Sequence, residues 1–304
     1  MKIRLKPLLG GLATRIMPSL AEAMGRRNQP RVTAEYYYTV WMRHVCTAAH
    51  FESWNAPQTV LEIGPGNALG TGMAALLSGV QKYMAYDAMP LLKQNFDEQL
   101  WQELIALFRQ KKAFAETDRI VPSTLFPSEL FPDEQLAQAL SDEGIERIKY
   151  SIQHRNDLIR YLNDFNSLPD NAVDYLFSHS VLEHVEALAP LYRAMWRWLR
   201  PGGVMTHSID FSAHGTSKHW NGHWTVPDFV WQLMQGQRSY FLNREPASTH
   251  RRLLEQQGFE ITGFHLSPLA SSLTRDDLAT RFRHLSQSDL TTVSAFVVAR
   301  KPLA

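Results

Sequence analysis

Along the chain, short apolar runs bounded by glycine, proline or polar clusters alternate with stretches whose apolar residues recur every three or four positions. Thr59 to Ile63, Tyr83 to Tyr86, Val173 to Phe177, Gly203 to Ile209, Phe259 to Leu266 and Val293 to Ala299 read as strands. Ile148 to Ile152 reads as another, third in order. Helical spacing marks Ala34 to Phe51, the stretch after Gly70 with Met73, Ala74, Leu76 and Leu77, a segment from about Val181, and Ser248 to Gln257. Ala88 to about Gly144 reads as largely helical, broken at Pro122, Pro127 and Pro132, and is too long for a plain crossover. Strands alternating with helices predict an open, mostly parallel α/β sheet.

At the N-terminus, Leu5, Leu8, Leu9, Leu12, Ile16 and Leu20 fall at helical spacing among Lys2, Arg4, Lys6 and Arg15, with Pro7 and Pro18 expected to interrupt the helix. Such a helix can touch a membrane surface or lie over the core or the active-site mouth. The modest charge favours the second. The expected organisation is a helical extension or lid over 1–55, then one domain over 56–304 with insertions at about 88–144 and 211–246.

Composition narrows the function classes. Thirty-one Lys and Arg against 30 Asp and Glu leave a formal charge of +1, without the clustered cations that binding to a nucleic acid backbone requires. Cys46 is the single cysteine, which excludes an internal disulfide and a zinc site of several thiolates. No window reaches the roughly 18 consecutive apolar residues of a membrane helix, and the N-terminus lacks an apolar leader core with a cleavage site. A chain without an integral membrane segment, working in a reducing cytoplasm, is the expectation.

The chemistry starts at TVLEIGPGNALG, Thr59 to Gly70. A dinucleotide turn takes Gly-x-Gly-x-x-Gly, and Leu69 stands at its third glycine. No Gly-Lys-Ser/Thr ends the turn, so it is not a P-loop. Glu62, two residues before Gly64, has no role toward a phosphate. The turn suits a ligand without one.

Glu62-Ile63-Gly64-Pro65-Gly66 resembles the first motif of class I S-adenosylmethionine (SAM)-dependent methyltransferases. A carboxylate at the strand end receives an ammonium, and glycines clear side chains from the cofactor's path. Asp87 stands where an acid accepts ribose hydroxyls, followed by Ala88. The resemblance continues through Ala172 to Val185, the Leu199-Arg-Pro-Gly-Gly203 turn and the closing Ser294 to Pro302. It implies a Rossmann-like, seven-stranded, mostly parallel sheet with an antiparallel last strand, a helical N-terminal extension and helical insertions forming a cap. S-adenosylmethionine is the implied cofactor, held by Glu62, Gly64, Pro65, Gly66, Asp87, Ala88 and the strand-end residues Ser178, His179 and Ser180. The residue meeting the adenine is either His154 or Asp164.

In an open α/β sheet the site lies at the carboxyl ends of the strands, which selects Ser178 to Ser180 and His207 to Asp210. Histidines recur from His207 through His214 and on to Lys218-His-Trp-Asn-Gly-His-Trp224. Imidazole suits general-base work near neutral pH, and Trp offers a wall for a sugar ring. His207 or His214 is the expected base, with Asp210 orienting it and His179 next in line. The His-rich segment and Ser239 to Pro246 are similar to bacterial methyltransferases that accompany polysaccharide and glycan assembly, which implies O-methylation of a sugar hydroxyl on a small-molecule or glycan acceptor. Glu183-His184 resembles part of a metal-binding helix of RNA 3′-end methyltransferases, but Ser180 replaces the first Glu, and no metal is expected. Two other readings stand: a SAM-dependent enzyme of natural-product metabolism acting on nitrogen, carbon or the cofactor itself, and a non-catalytic SAM-binding module.

Overall fold

A computed structural model describes residues 5–20, 32–88, 96–115, 120–155, 158–164, 166–238 and 240–303. Its centre is a seven-stranded sheet of order β3-β2-β1-β4-β5-β7-β6. The strands are β1 (Thr59–Ile63), β2 (Lys82–Tyr86), β3 (Ile159–Leu162), β4 (Val173–His179), β5 (Leu199–Asp210), β6 (Glu260–Pro268) and β7 (Thr292–Arg300). β1 to β5 pair in parallel, and β7 runs antiparallel between β5 and β6.

Side-chain alternation divides the core into two layers. Val60, Tyr175 and Phe177 face one layer, built with α2 (Ala34–Phe51), α3 (Gly70–Leu77), α4 (Glu98–Arg109), α5 (Asp133–Leu140) and α6 (Asp142–His154). Leu61, Ile63, Leu176, Met205 and Ile209 face the other, under α7 (Leu188–Trp198) and α9 (Ala247–Gln256), which follows α8 (Asp228–Gln235) in the chain. Burial on both faces explains why β1 and β4 read as near-continuous apolar runs. The helix α2 begins where Thr33 accepts a hydrogen bond from Tyr36 N at 3.3 Å, and it buries Tyr37, Tyr38, Trp41, Met42 and Val45. No helix among the described residues is long and apolar enough to cross a membrane.

The third strand is not where the apolar run put it. Ile148 to Ile152 lies inside α6, capped by Ser141, whose Oγ accepts from Gly144 N at 3.0 Å. Ile145, Ile148 and Ile152 share one buried helix face at spacings of three and four. The strand itself is Ile159–Leu162 at the sheet edge. The segment from Val181 makes a single 3₁₀ turn, Leu182–His184, before α7 begins. Pro7 sits in the first turn of α1 (Leu5–Ile16), where its missing N–H costs no helical bond, and Pro18 lies beyond the helix end.

Candidate active site

β1 connects toward β2 on one side while β4 leads to β5 on the other, so the carboxyl ends of β1 and β4 flank the switch point of the sheet. A cleft of about 640 Å³ opens there. Glu62, Gly64, Pro65, Gly66, Asn67 and Thr71 line it from the β1–α3 side, His179 and Ser180 from the end of β4, and Thr33, Tyr36, Tyr37 and Val40 from the start of α2. Gly64 and Gly66 have φ of 70° and 71°, a backbone only glycine adopts without strain. A Cβ at Gly64 would also stand 2.4 Å from Val181 Cγ2, which interlocks the turn with the loop after β4.

Glu62 is buried beneath the turn. Tyr83 Oη donates to its Oε2, and Thr71 adds a second side-chain bond. Burial pushes the Glu62 carboxyl up to about 7, against the lowering effect of those two donors, and nearby Asp87 adds to the rise. A buried carboxyl poised at this value gains a full charge when a cation arrives. That is the chemistry expected of a seat for an ammonium.

His179 is the end of a hydrogen-bonded line. Its Nδ1 lies 3.2 Å from His44 Nε2, His44 Nδ1 lies 2.7 Å from Thr206 Oγ1, and Thr206 Oγ1 lies 2.5 Å from Tyr175 Oη. One direction satisfies every member. Tyr175 donates to Thr206, Thr206 donates to His44 Nδ1, and His44 Nε2–H donates to His179 Nδ1, leaving the His179 Nε2–H for the cleft. The reverse direction strands the buried Tyr175 proton, at a cost of about 1–3 kcal/mol. Burial, with the Arg43 charge adding to it, pushes His179 down to about 3, so the ring is neutral at pH 7.

Ser178 and His207 turn the opposite way. Both are buried in the layer under α7 and α9, Ser178 Oγ sits 2.8 Å from His207 Nδ1, and the His207 ring meets Tyr192 edge-on. Neither side chain lines the cleft, and burial pushes His207 down to about 3. Asp87 follows β2, half-buried, with its N–H on Leu162 O at 3.0 Å, and Ala88 is exposed beside it. Asp164 stands two residues past β3 at the carboxyl end, its Oδ1 accepting from Asn166 N at 3.1 Å. His154 is instead the last residue of α6, stacked on Tyr150 with ring centroids 4.0 Å apart.

At the carboxyl end of β5, Asp210 belongs to the same strand face as Thr206, and it and His214 lie outside the residues that line the cleft. His214 Nε2 lies 2.9 Å from Asp210 Oδ2, and Asp210 Oδ1 accepts from Ser212 N at 2.7 Å. These partners outweigh partial burial and hold the Asp210 carboxyl below its ordinary range. An ionised carboxylate only accepts, so the His214 Nε2 is the donor, and in the neutral ring that leaves the lone pair on Nδ1. Around the pair lie His184, whose ring is 5.1 Å from His214, the buried Glu183, and the buried His223. Burial pushes Glu183 up to about 8 and His223 down to about 3.

Trp224 is a core residue, its indole N–H on Arg244 O at 2.9 Å, and Trp220 donates to Ala270 O at 2.9 Å. Trp224 therefore offers no wall to a sugar. Among the described residues no three His, Cys, Asp or Glu side chains are grouped to hold a metal ion. Thr33, Tyr36, Tyr37, Val40 and His44 were not singled out by the sequence reading. Their signal is a stripe at spacings of three and four along α2, with a histidine on its largely apolar buried face.

Residues 134–206 match the family model described as "Methyltransferase domain". No curated protein matches. Among solved structures, the chain is similar to phosphoethanolamine N-methyltransferase 2 of Haemonchus contortus in complex with S-adenosyl-L-methionine, at 16% identity and TM-score 0.43, over 86% of this chain and 53% of that one. This chain thus spans about half the length of that protein. It is also similar to an S-adenosylmethionine-dependent methyltransferase of Mesorhizobium loti, with 15% identity, TM-score 0.41 and coverage of 84% and 95%. A SAM-dependent methyltransferase of Methanosarcina mazei gives 12% identity, TM-score 0.41 and coverage of 82% and 95%. The family match covers β3, β4 and the first part of β5, and the glycine turn after β1 lies outside it.

Proposed function

We propose that this protein transfers a methyl group from S-adenosylmethionine to a hydroxyl oxygen, with His214 as the general base and Asp210 as its orienting partner. The observation that carries the reading is the 2.9 Å bond from His214 Nε2–H to Asp210 Oδ2, which leaves the His214 Nδ1 free to accept a proton. When bound, the cofactor supplies an electrophilic methyl group. Glu62 receives its ammonium, Gly64 to Gly66 give it room, and Asp87 takes the ribose hydroxyls, with Asp164 toward the adenine. The His214 Nδ1 takes the hydroxyl proton as the acceptor oxygen is alkylated, and Asp210 balances the charge left on the ring. The acceptor is a polar, hydroxyl-bearing molecule such as a sugar or glycan precursor, consistent with the His and Asp lining of the β5 end.

His179 takes a different part from a base. Its Nε2–H faces the cleft as a neutral donor and orients the acceptor oxygen without adding a positive charge beside a sulfonium. His207, sealed in the other layer, supports β4 through Ser178.

Isothermal calorimetry with SAM, then a screen of hydroxyl-bearing acceptors with methyl-labelled SAM and mass spectrometry, tests the reading. One methyl ether per S-adenosylhomocysteine formed is expected. Tighter binding of NAD than of SAM, or unchanged SAM affinity in Asp87→Ala, refutes the cofactor seat. Label found on nitrogen or carbon refutes the hydroxyl acceptor.

A further inference from the structure

We propose that α1 seats this protein on an anionic lipid surface. The helix is held by one face and bare on another. Gly11 and Thr14 are its buried residues, and a Cβ at Gly11 would stand 2.1 Å from Leu233 O, so the backbones of α1 and α8 touch. Three bonds fix the rotation of the helix about its axis. Thr14 Oγ1 accepts from Gln237 N at 3.1 Å, Arg15 donates to Gln232 O at 3.0 Å, and Arg238 donates to Pro7 O at 3.2 Å.

That rotation turns an apolar stripe outward. Leu5, Leu9, Leu12 and Ile16, four, three and four residues apart, are 71, 61, 37 and 82% exposed, and Met17 follows at 53%. At about 100° per residue they lie on one line, with Lys6 and Arg15 roughly a quarter turn to either side. The sequence places Lys2, Arg4, Lys6 and Arg15 in this region and no acidic residue before Glu22. A helix whose only task were to dock on α8 would gain nothing from four large apolar side chains in water.

Charge selects the occupant. An apolar stripe flanked by cations alone fits an interface where acyl chains receive the stripe and phosphates meet the cations. A second copy of the chain packed stripe to stripe would set Lys6 and Arg15 against their own like charges.

Co-sedimentation of the full chain with vesicles tests the seat. Phosphatidylcholine vesicles containing phosphatidylglycerol should bind it about tenfold better than phosphatidylcholine alone, and about 0.5 M salt should remove most of that preference. Leu9→Glu with Ile16→Glu should abolish binding while leaving the circular dichroism spectrum and melting temperature unchanged, because both positions face water. Absence of binding to either vesicle overturns the proposal, as does binding insensitive to salt. A dimer in sedimentation velocity that the double variant dissolves would give the stripe to a second copy and equally overturn it. SAM binding, read in parallel, is expected to be the same in both forms, so this result stands apart from the fate of the methyl-transfer reading.

Discussion

His44 Nε2 and His179 Nδ1 stand 3.2 Å apart, the last link of a line that begins at the buried Tyr175. The direction of that line decides what the cleft meets. Long-range proton–nitrogen correlation spectra should report both His44 and His179 as neutral Nε2–H tautomers at pH 7. Thr206→Val should give mixed tautomers at both rings, while Thr206→Ser keeps them. A proton on the Nδ1 of His179 in the parent protein would refute the donor role.

For the His214–Asp210 pair, the expected loss in turnover for His214→Ala is about 10²–10⁴, with SAM affinity unchanged. Asp210→Asn should fall in the same direction, because an amide can donate to the Nε2 and so place the ring proton on the Nδ1. His207→Gln should lower the melting temperature yet keep turnover per folded molecule within about threefold, well inside that range. If His207→Gln loses turnover and His214→Ala does not, the roles are reversed.

Cofactor binding should be linked to a proton. Glu62, held near 7 by burial, must ionise to pair with an ammonium, so SAM should bind more tightly as pH rises to about 7 and less tightly above about 8, where a free α-amino group loses its proton. Calorimetry in two buffers of different ionisation enthalpy should detect close to one proton released at about pH 6 and a proton taken up, by the ligand's amino group, at about pH 9. Glu62→Gln should bind weakly with no such release.

The buried rings set the acid limit of the fold. Burial holds His207, His223 and His250 near 3, whereas an unfolded imidazole protonates near 6.5. Between those values the unfolded state binds more protons, so stability is intact above about 6.5 and falls as pH drops toward 3. Glu183 has the opposite sign. Its carboxyl keeps a proton in the folded state up to about 8, so its contribution is complete below about 4.5 and is lost as pH rises through 8. Urea midpoints measured from pH 5 to 9 should therefore fall at both ends, with Glu183→Gln flattening the alkaline limb and His250→Phe the acid one.

Where the sequence is strongly patterned, its reading and the structure coincide. Thr59–Ile63 and Ala34–Phe51 carry the bounds expected of them, because one is a doubly buried central strand and the other a long capped helix. The third strand was displaced because Ile145, Ile148 and Ile152 also fit a helical face, and the true edge strand offers four residues with Arg160 exposed. Pairing His207 with Asp210 overlooked strand alternation. Residues three apart on one strand point to opposite faces, which puts His207 under α7 and leaves Asp210 for His214. The contribution of α2 to the cleft was hidden by distance, since Tyr36, Tyr37 and Val40 precede the glycine turn by about 20 residues or more and meet it only through the fold.

The closeness of Gly11 to Leu233 has a consequence in time. Helix α1 rests on a helix made more than two hundred residues later, roughly 10–45 s afterwards at the usual 5–20 residues per second. Through that interval the small face that will receive α8 is bare, beside the apolar one that stays exposed. Helix α1 thus waits through most of that synthesis, and whatever covers it in the interval does so before its own seat on α8 exists.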